Sequence, residues 1–200
     1  MKNVAAFRNV TPGAKLAMVN NKLGNPGLKR NQGSSVECYD YVQVTPGTAG
    51  VIRFFDAVNT KTFPFTNLQQ NQLQVGEALA IEYIAFTRIS VRAGVIQTFE
   101  ALTDSVNSLS LCGFSFLLDN SRTVKNNSLT RSFQTLNTKG GTAVNSLFYP
   151  DTDLTIPPQI SFTAELNVPA NTDTGGVDVD VYYGIHLFGT GAILNLKSNV

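Results

Sequence analysis

Tryptophan is absent, histidine occurs once, and charged residues make up only 14% of the chain. Without tryptophan, aromatic platforms for sugars are weak. The lone histidine, His186, needs an acid and a nucleophile brought to it before it can work as a triad base. Single histidines in strands are more often surface or edge residues, and that is the expectation for His186. A Gly-x-Ser-x-Gly elbow is also missing, because Cys112-Gly113-Phe114-Ser115-Phe116 lacks the second glycine. Cys38 and Cys112 form no CxxC and no Cys/His cluster, which argues against a metal site. Both lie inside apolar patterns and read as buried free thiols, with a disulfide between them as the alternative. No apolar run is long enough for a transmembrane helix. The longest, Ala78–Phe86, is cut by Glu82. Val4–Phe7 and Leu16–Val19 are too short for the core of a signal peptide, so a soluble protein made in the cytoplasm is expected.

Acidic side chains are missing altogether from residues 1–36, which hold Lys2, Arg8, Lys15, Lys22, Lys29 and Arg30. The remaining residues carry 9 basic and 14 acidic side chains, a balance of −5. A basic end on a mildly acidic body suggests an arm with its own partner. Pro12-Gly13, Gly24-Asn25-Pro26-Gly27 and Gly33-Ser34-Ser35 punctuate it. The sequence therefore divides into an arm at 1–35, a body at 36–191 and a tail at 192–200. Two readings of the arm stand side by side. Its six charges touch nucleic acid or anionic lipid head groups, or it laces onto a neighbouring subunit.

What is abundant is phenylalanine at 13 residues, with 19 asparagines and 20 threonines. Threonine favours strands and asparagine favours turns, so the composition is that of a β protein with an uncharged polar surface. Alternation places a first strand over Val36–Val44, interrupted by Asp40, and a second over Val51–Phe55. A polar connection, Asn59–Gln74, leads to Gly76 and a long strand over Glu77–Arg92. Every odd position from Leu79 to Val91 reads as its core face, and Ile84 and Phe86 on the other face suggest that this side is covered too at mid-strand. Its length, on the order of 50 Å, predicts a bend or bulge. Phe99, Leu102, Val106 and Leu109 fall at helical spacing and predict a short helix. Leu111–Leu118 is a strand. Arg122–Phe133 reads as a strand pair with Asn126-Asn127 at its tip. Ile160–Val168 and Val177–Leu187 alternate most clearly. About eight strands without a βαβ rhythm predict an all-β fold, an antiparallel eight-stranded β-sandwich or single jelly roll. Its shared core should include Ile81, Phe114, Phe116, Ile160, Phe162, Leu166, Val179 and Val181.

Three constellations invite chemistry. Asp151/Asp153 and Asp173/Asp178/Asp180 could gather oxygen ligands for calcium, but Asp178 and Asp180 alternate with valines and read as a solvated strand face. Glu82 and Arg88 share a strand face, yet no second carboxylate pairs with Glu82 as a glycosidase requires. Asn9-Val10-Thr11 and Asn126-Asn127-Ser128 match the glycosylation pattern by chance in an Asn/Thr-rich chain. No catalytic residue, metal or cofactor is expected.

Phe54-Phe55, Thr66-Asn67-Leu68 and Gln72-Leu73-Gln74-Val75-Gly76-Glu77-Ala78-Leu79-Ala80-Ile81 resemble the early part of jelly-roll capsid proteins. These proteins come from tailless, often lipid-containing icosahedral bacterial viruses. The resemblance covers roughly residues 50–90. Many such proteins carry two jelly rolls, and this body has room for one. The resemblance implies a capsid subunit of the virion that self-assembles and does no catalysis. Its partners would be copies of itself and other capsid proteins, with the viral genome or an internal membrane met through the arm. No small-molecule substrate is implied. A carbohydrate-binding or adhesin-type β-sandwich of a phage fibre or cell surface is the rival expectation.

Overall fold

The computed structural model describes residues 34–44, 49–75, 77–101, 112–119, 122–129, 147–148, 154–168 and 180–192. They form ten strands: β1 (Ser34–Val44), β2 (Gly50–Phe54), β3 (Ala78–Arg92), β4 (Val95–Ala101), β5 (Gly113–Leu118), β6 (Arg122–Leu129), β7 (Leu147–Phe148), β8 (Leu154–Ile156), β9 (Phe162–Val168) and β10 (Asp180–Ala192). One short 3-10 turn, Val58–Thr60, follows β2. The larger sheet runs β1-β10-β3-β4, with β7 and β8 also paired to β3. The smaller runs β2-β9-β5-β6. Every strand pair is antiparallel. The fold is therefore all-β, with two antiparallel sheets packed as a β-sandwich.

The core between the sheets follows from period-two alternation. β9 buries Phe162, Ala164, Leu166 and Val168, and β10 buries Val181, Tyr183, Ile185 and Leu187. Phe86 of one sheet meets Phe114 of the other edge-on, with ring centroids 5.3 Å apart. Six of the eight expected core residues are buried. Ile160 is only half-buried because β9 opens two residues later, and Val179 lies outside the described residues. Cys38 and Cys112 are buried free thiols. Burial pushes both up to about 12, so they pack as small apolar groups.

The long strand carries the expected bulge, which corrects the reading of one odd-numbered core face from Leu79 to Val91. Phe188 pairs with Tyr83 but Gly189 pairs with Ile81, so Glu82 is an extra residue in β3. That bulge reverses the alternation. Leu79 and Ile81 face the core before it, and Ile84 and Phe86 face the core after it. Ile89 and Val91 consequently join a second cluster with Tyr41. The expected helix is corrected at its start, since Phe99–Ala101 belong to β4 and Ile89 pairs with Phe99, while Leu102, Val106 and Leu109 lie outside the described residues. Ala93 and Gly94, both at positive φ, make the two-residue turn that joins β3 to β4. Asn126-Asn127 do not form a tip. They lie inside β6, opposite Ser115, where two residues on β6 face one on β5.

The polar connection after β2 runs along the free edge of β1 and on to the start of β9. Tyr41 N–H donates to Phe65 O (2.8 Å) and Asn67 N–H to Tyr39 O (3.4 Å), along the edge of β1 not used by β10. The Asn67 side chain completes this cover. Its Oδ1 accepts from Tyr39 N (2.9 Å) and its Nδ2 donates to Glu37 O (2.6 Å). Farther on, Phe162 N–H donates to Asn71 O and Gln159 N–H to Leu73 O, so the same connection reaches the start of β9. Glu77 closes it, accepting from Gln74 N–H at 2.7 Å.

Candidate functional site

β1 carries its polar side chains to two places. Its outward face meets β10 and β3, where pairing sets Tyr39 beside His186 and His186 beside Ala85. His186 projects from this face. Its Nδ1 lies 2.5 Å from Glu37 Oε1, and its Nε2 lies 2.9 Å from Tyr41 Oη and 3.0 Å from Thr87 Oγ1. Thr87 Oγ1 also donates to Tyr41 Oη at 3.1 Å. Gly184 makes this possible, because a Cβ there would overlap the Tyr41 ring and come within 2.6 Å of Thr87 Oγ1. The tyrosine ring occupies the space where that side chain would be.

Aromatic rings flank the imidazole. Tyr39 stacks on His186 at 5.5 Å, Phe188 stacks on it at 6.0 Å, and Tyr83 stacks on Phe188 at 4.6 Å. Burial, and secondly the nearby Glu37 charge, push the Tyr39 phenol up. Burial also pushes Tyr41 up to about 12, outweighing its bond to Thr87.

The expectation of a surface or edge histidine is corrected. His186 is 8% exposed on a strand paired on both sides, and it has both an acid and hydroxyls. The order carboxylate–imidazole–hydroxyl is the one that activates nucleophiles. Thr87 and Tyr41, however, are buried at 5% and 6% exposure. A hydroxyl closed to substrate, and in the tyrosine's case held neutral, acts as a hydrogen-bonded strut. Glu37, Tyr41, Thr87 and Gly184 were not singled out from sequence. Thr87, a polar residue in an apolar row, was the available signal.

The inward face of β1 holds the second centre. Asp40 is fully buried, and its Oδ2 accepts from Phe55 N–H (2.8 Å) and from Lys61 Nζ (2.6 Å). Phe55 is left-handed at φ 63°, a conformation costly for a phenylalanine, and the captured N–H helps offset that cost. Burial raises the Asp40 carboxyl above the ordinary aspartate range despite the lowering effect of Lys61.

Lys2, Arg8, Lys15, Lys22, Lys29 and Arg30 lie outside the described residues, as do Asp151, Asp153, Asp173 and Asp178. Asp180 is exposed and accepts from Gln43 Nε2 at 2.9 Å. Glu82 accepts from Thr190 Oγ1 at 2.9 Å. Among the described residues, no cluster of three or more His, Cys, Asp or Glu could hold a metal ion. No described helix is long and apolar enough to cross a membrane. No protein-family model matches the chain, and no curated protein matches it.

Proposed function

We propose that this chain is a single jelly-roll capsid subunit that assembles with its own copies into an icosahedral shell. The nesting of strand pairs carries the reading. β1 pairs with β10, β2 with β9, β3 with β7 and β8, and β5 with β6. Pairing from the outermost strands inward is what a long antiparallel ribbon produces when it wraps into two sheets, the double Greek key of a jelly roll. On this reading β7 and β8 are one interrupted strand, and β4 is an addition beside β3. Eight strands then remain in two sheets of four.

Jelly rolls serve lectins and cupins as well as capsids, so composition has to choose. Sparse charge and abundant Asn and Thr suit repeated contacts between copies, because little unpaired charge is buried. The resemblance over residues 50–90 points the same way. The mechanism is geometric: the sandwich supplies shape, and its loops and sides meet neighbours. The subunit needs no catalytic residue, cofactor or small-molecule substrate. It is made in the host cytoplasm and resides in the virion. Its partners are other copies, further capsid proteins, and the genome or an internal membrane through Lys2, Arg8, Lys15, Lys22, Lys29 and Arg30.

Sedimentation and negative-stain imaging of the full chain test this. Shells or closed rings are expected at high concentration. A lasting monomer across salt and pH overturns the reading, and glycan binding by that monomer favours an adhesin-type module. Replacing Lys22, Lys29 and Arg30 with Gln separates the two readings of the arm. Charge contact with nucleic acid or lipid predicts weaker assembly with less salt sensitivity. Lacing between subunits predicts little change.

A further inference from the structure

The hydroxyl end and the carboxylate end of the His186 chain differ in exposure, and that difference gives the cluster a direction. Thr87 donates to Tyr41, so the Tyr41 proton is free to go to Nε2, and Nδ1–H goes to Glu37. With the imidazole neutral, every donor in the chain is spent in one sense. A proton added at Nε2 turns that nitrogen from acceptor into donor. Whichever hydroxyl oxygen then accepts from Nε2, one of the two hydroxyl protons, of Tyr41 or of Thr87, loses its acceptor within the cluster. That loss falls where Tyr41 and Thr87 are buried. The gain, a full ion pair with Glu37, falls where the carboxylate side chain is 40% exposed and water screens it. Among the described residues, the titratable groups that pack around this cluster are Glu37, Tyr39 and Tyr41 from β1, Tyr83 from β3 through Phe188, and Tyr182 from β10, while Asp40 of β1 faces the core with Lys61. Beyond one another and His186 Nε2, none of these groups is bonded to the Tyr41 or Thr87 hydroxyl, so none supplies the lost acceptor.

We propose that the Thr87–Tyr41–His186–Glu37 chain is a proton-operated latch. It holds β1 to the middle of the larger sheet when His186 is neutral and loosens that strand when His186 takes up a proton. Histidine is the side chain whose ordinary titration falls between about pH 5 and pH 8.

Because His186 is the only histidine, ring nitrogen resonances of the full chain report this site alone. At neutral pH they should show the tautomer with the proton on Nδ1. Hydrogen exchange then reads the latch. The amides of Tyr39 and Tyr41 face the loop, so those of Cys38, Asp40 and Val42 face β10. From about pH 7.5 to about pH 5, after correction for intrinsic rates, their protection should fall about tenfold, the cost of one unsatisfied buried hydroxyl. Amides of β9 should not change. His186→Gln should abolish the response. If that variant fails to fold, Tyr41→Phe with Thr87→Val should abolish it too, since no hydroxyl is left to strand. An Nε2–H tautomer at neutral pH, equal responses in both sheets, or a response that survives these variants overturns the proposal.

Discussion

Two carboxylates leave β1 three residues apart, and their surroundings are opposite. Asp40 points into the core, is fully buried, and meets Lys61 and the Phe55 amide. Glu37 points outward, with a 40% exposed side chain, and meets His186. Both contacts are short. The lesson is that distance does not rank them; exposure does. A buried carboxylate deprived of its cation keeps its full desolvation cost, whereas a half-exposed one is rehydrated.

The sharpest way to break the comparison is Lys61→Met. It leaves Asp40 without its cation and should cost about 3–5 kcal/mol at neutral pH, read from urea unfolding. The loss should ease in acid. The folded state holds the Asp40 proton more tightly than the unfolded chain does. From this group alone, stability is therefore highest below the ordinary aspartate value of 3.8 and falls as pH rises through the raised folded value. Asp40→Asn removes that slope, so the stability advantage of the natural chain over this variant should shrink with rising pH across the window. A growing advantage there would mean that the Lys61 contact, rather than burial, governs the carboxyl.

Gly184→Ala tests the outward centre through its floor. The new Cβ would push Tyr41 away from His186 at a cost of about 1–3 kcal/mol. Near-UV circular dichroism should change as the tyrosine loses its fixed setting; an unchanged spectrum and midpoint would refute the packing described. Asn67→Ala removes the cover from the outer edge of β1 and should cost about 1–2 kcal/mol. Static light scattering should rise on warming, because an uncovered edge pairs with other strands. Glu37→Gln is the mildest change. It should shift the urea midpoint by less than about 1 kcal/mol equivalent, and a loss as large as that of Lys61→Met would erase the distinction between the two sites.

Sequence alternation revealed the sandwich where strands are regular. β9 and β10 bury Phe162, Leu166, Val181 and Ile185 as the pattern requires. In β3 the length announced a bulge but not its place, and Glu82 shifts the phase so that Ile89 and Val91 leave the core face that alternation gave them. The pattern misled again at Phe99, where apolar spacing of three and four residues outweighed the Ala93-Gly94 turn and the β-branched Val95 and Ile96 after it. The His186 centre was hidden for a different reason. Glu37 and His186 are 149 positions apart, and only the register between β1 and β10 brings them together. Asn67, by contrast, was legible as part of the quoted Thr66-Asn67 motif, though not its role as a cover for β1.

The pairing of β1 with β10 has a mechanical consequence. Ser34 lies opposite Gly191, so the first and last described strands start and finish at the same corner. A force that pulls the two chain ends apart acts across the ladder rather than along it. It would peel β1 from β10 one hydrogen bond at a time, like a zipper, instead of loading all of the bonds at once in shear. The body should therefore yield at low force when stretched between its ends. Pulled from Ser34 and the far end of β10, near Asp180, the same two strands would resist as a shear clamp.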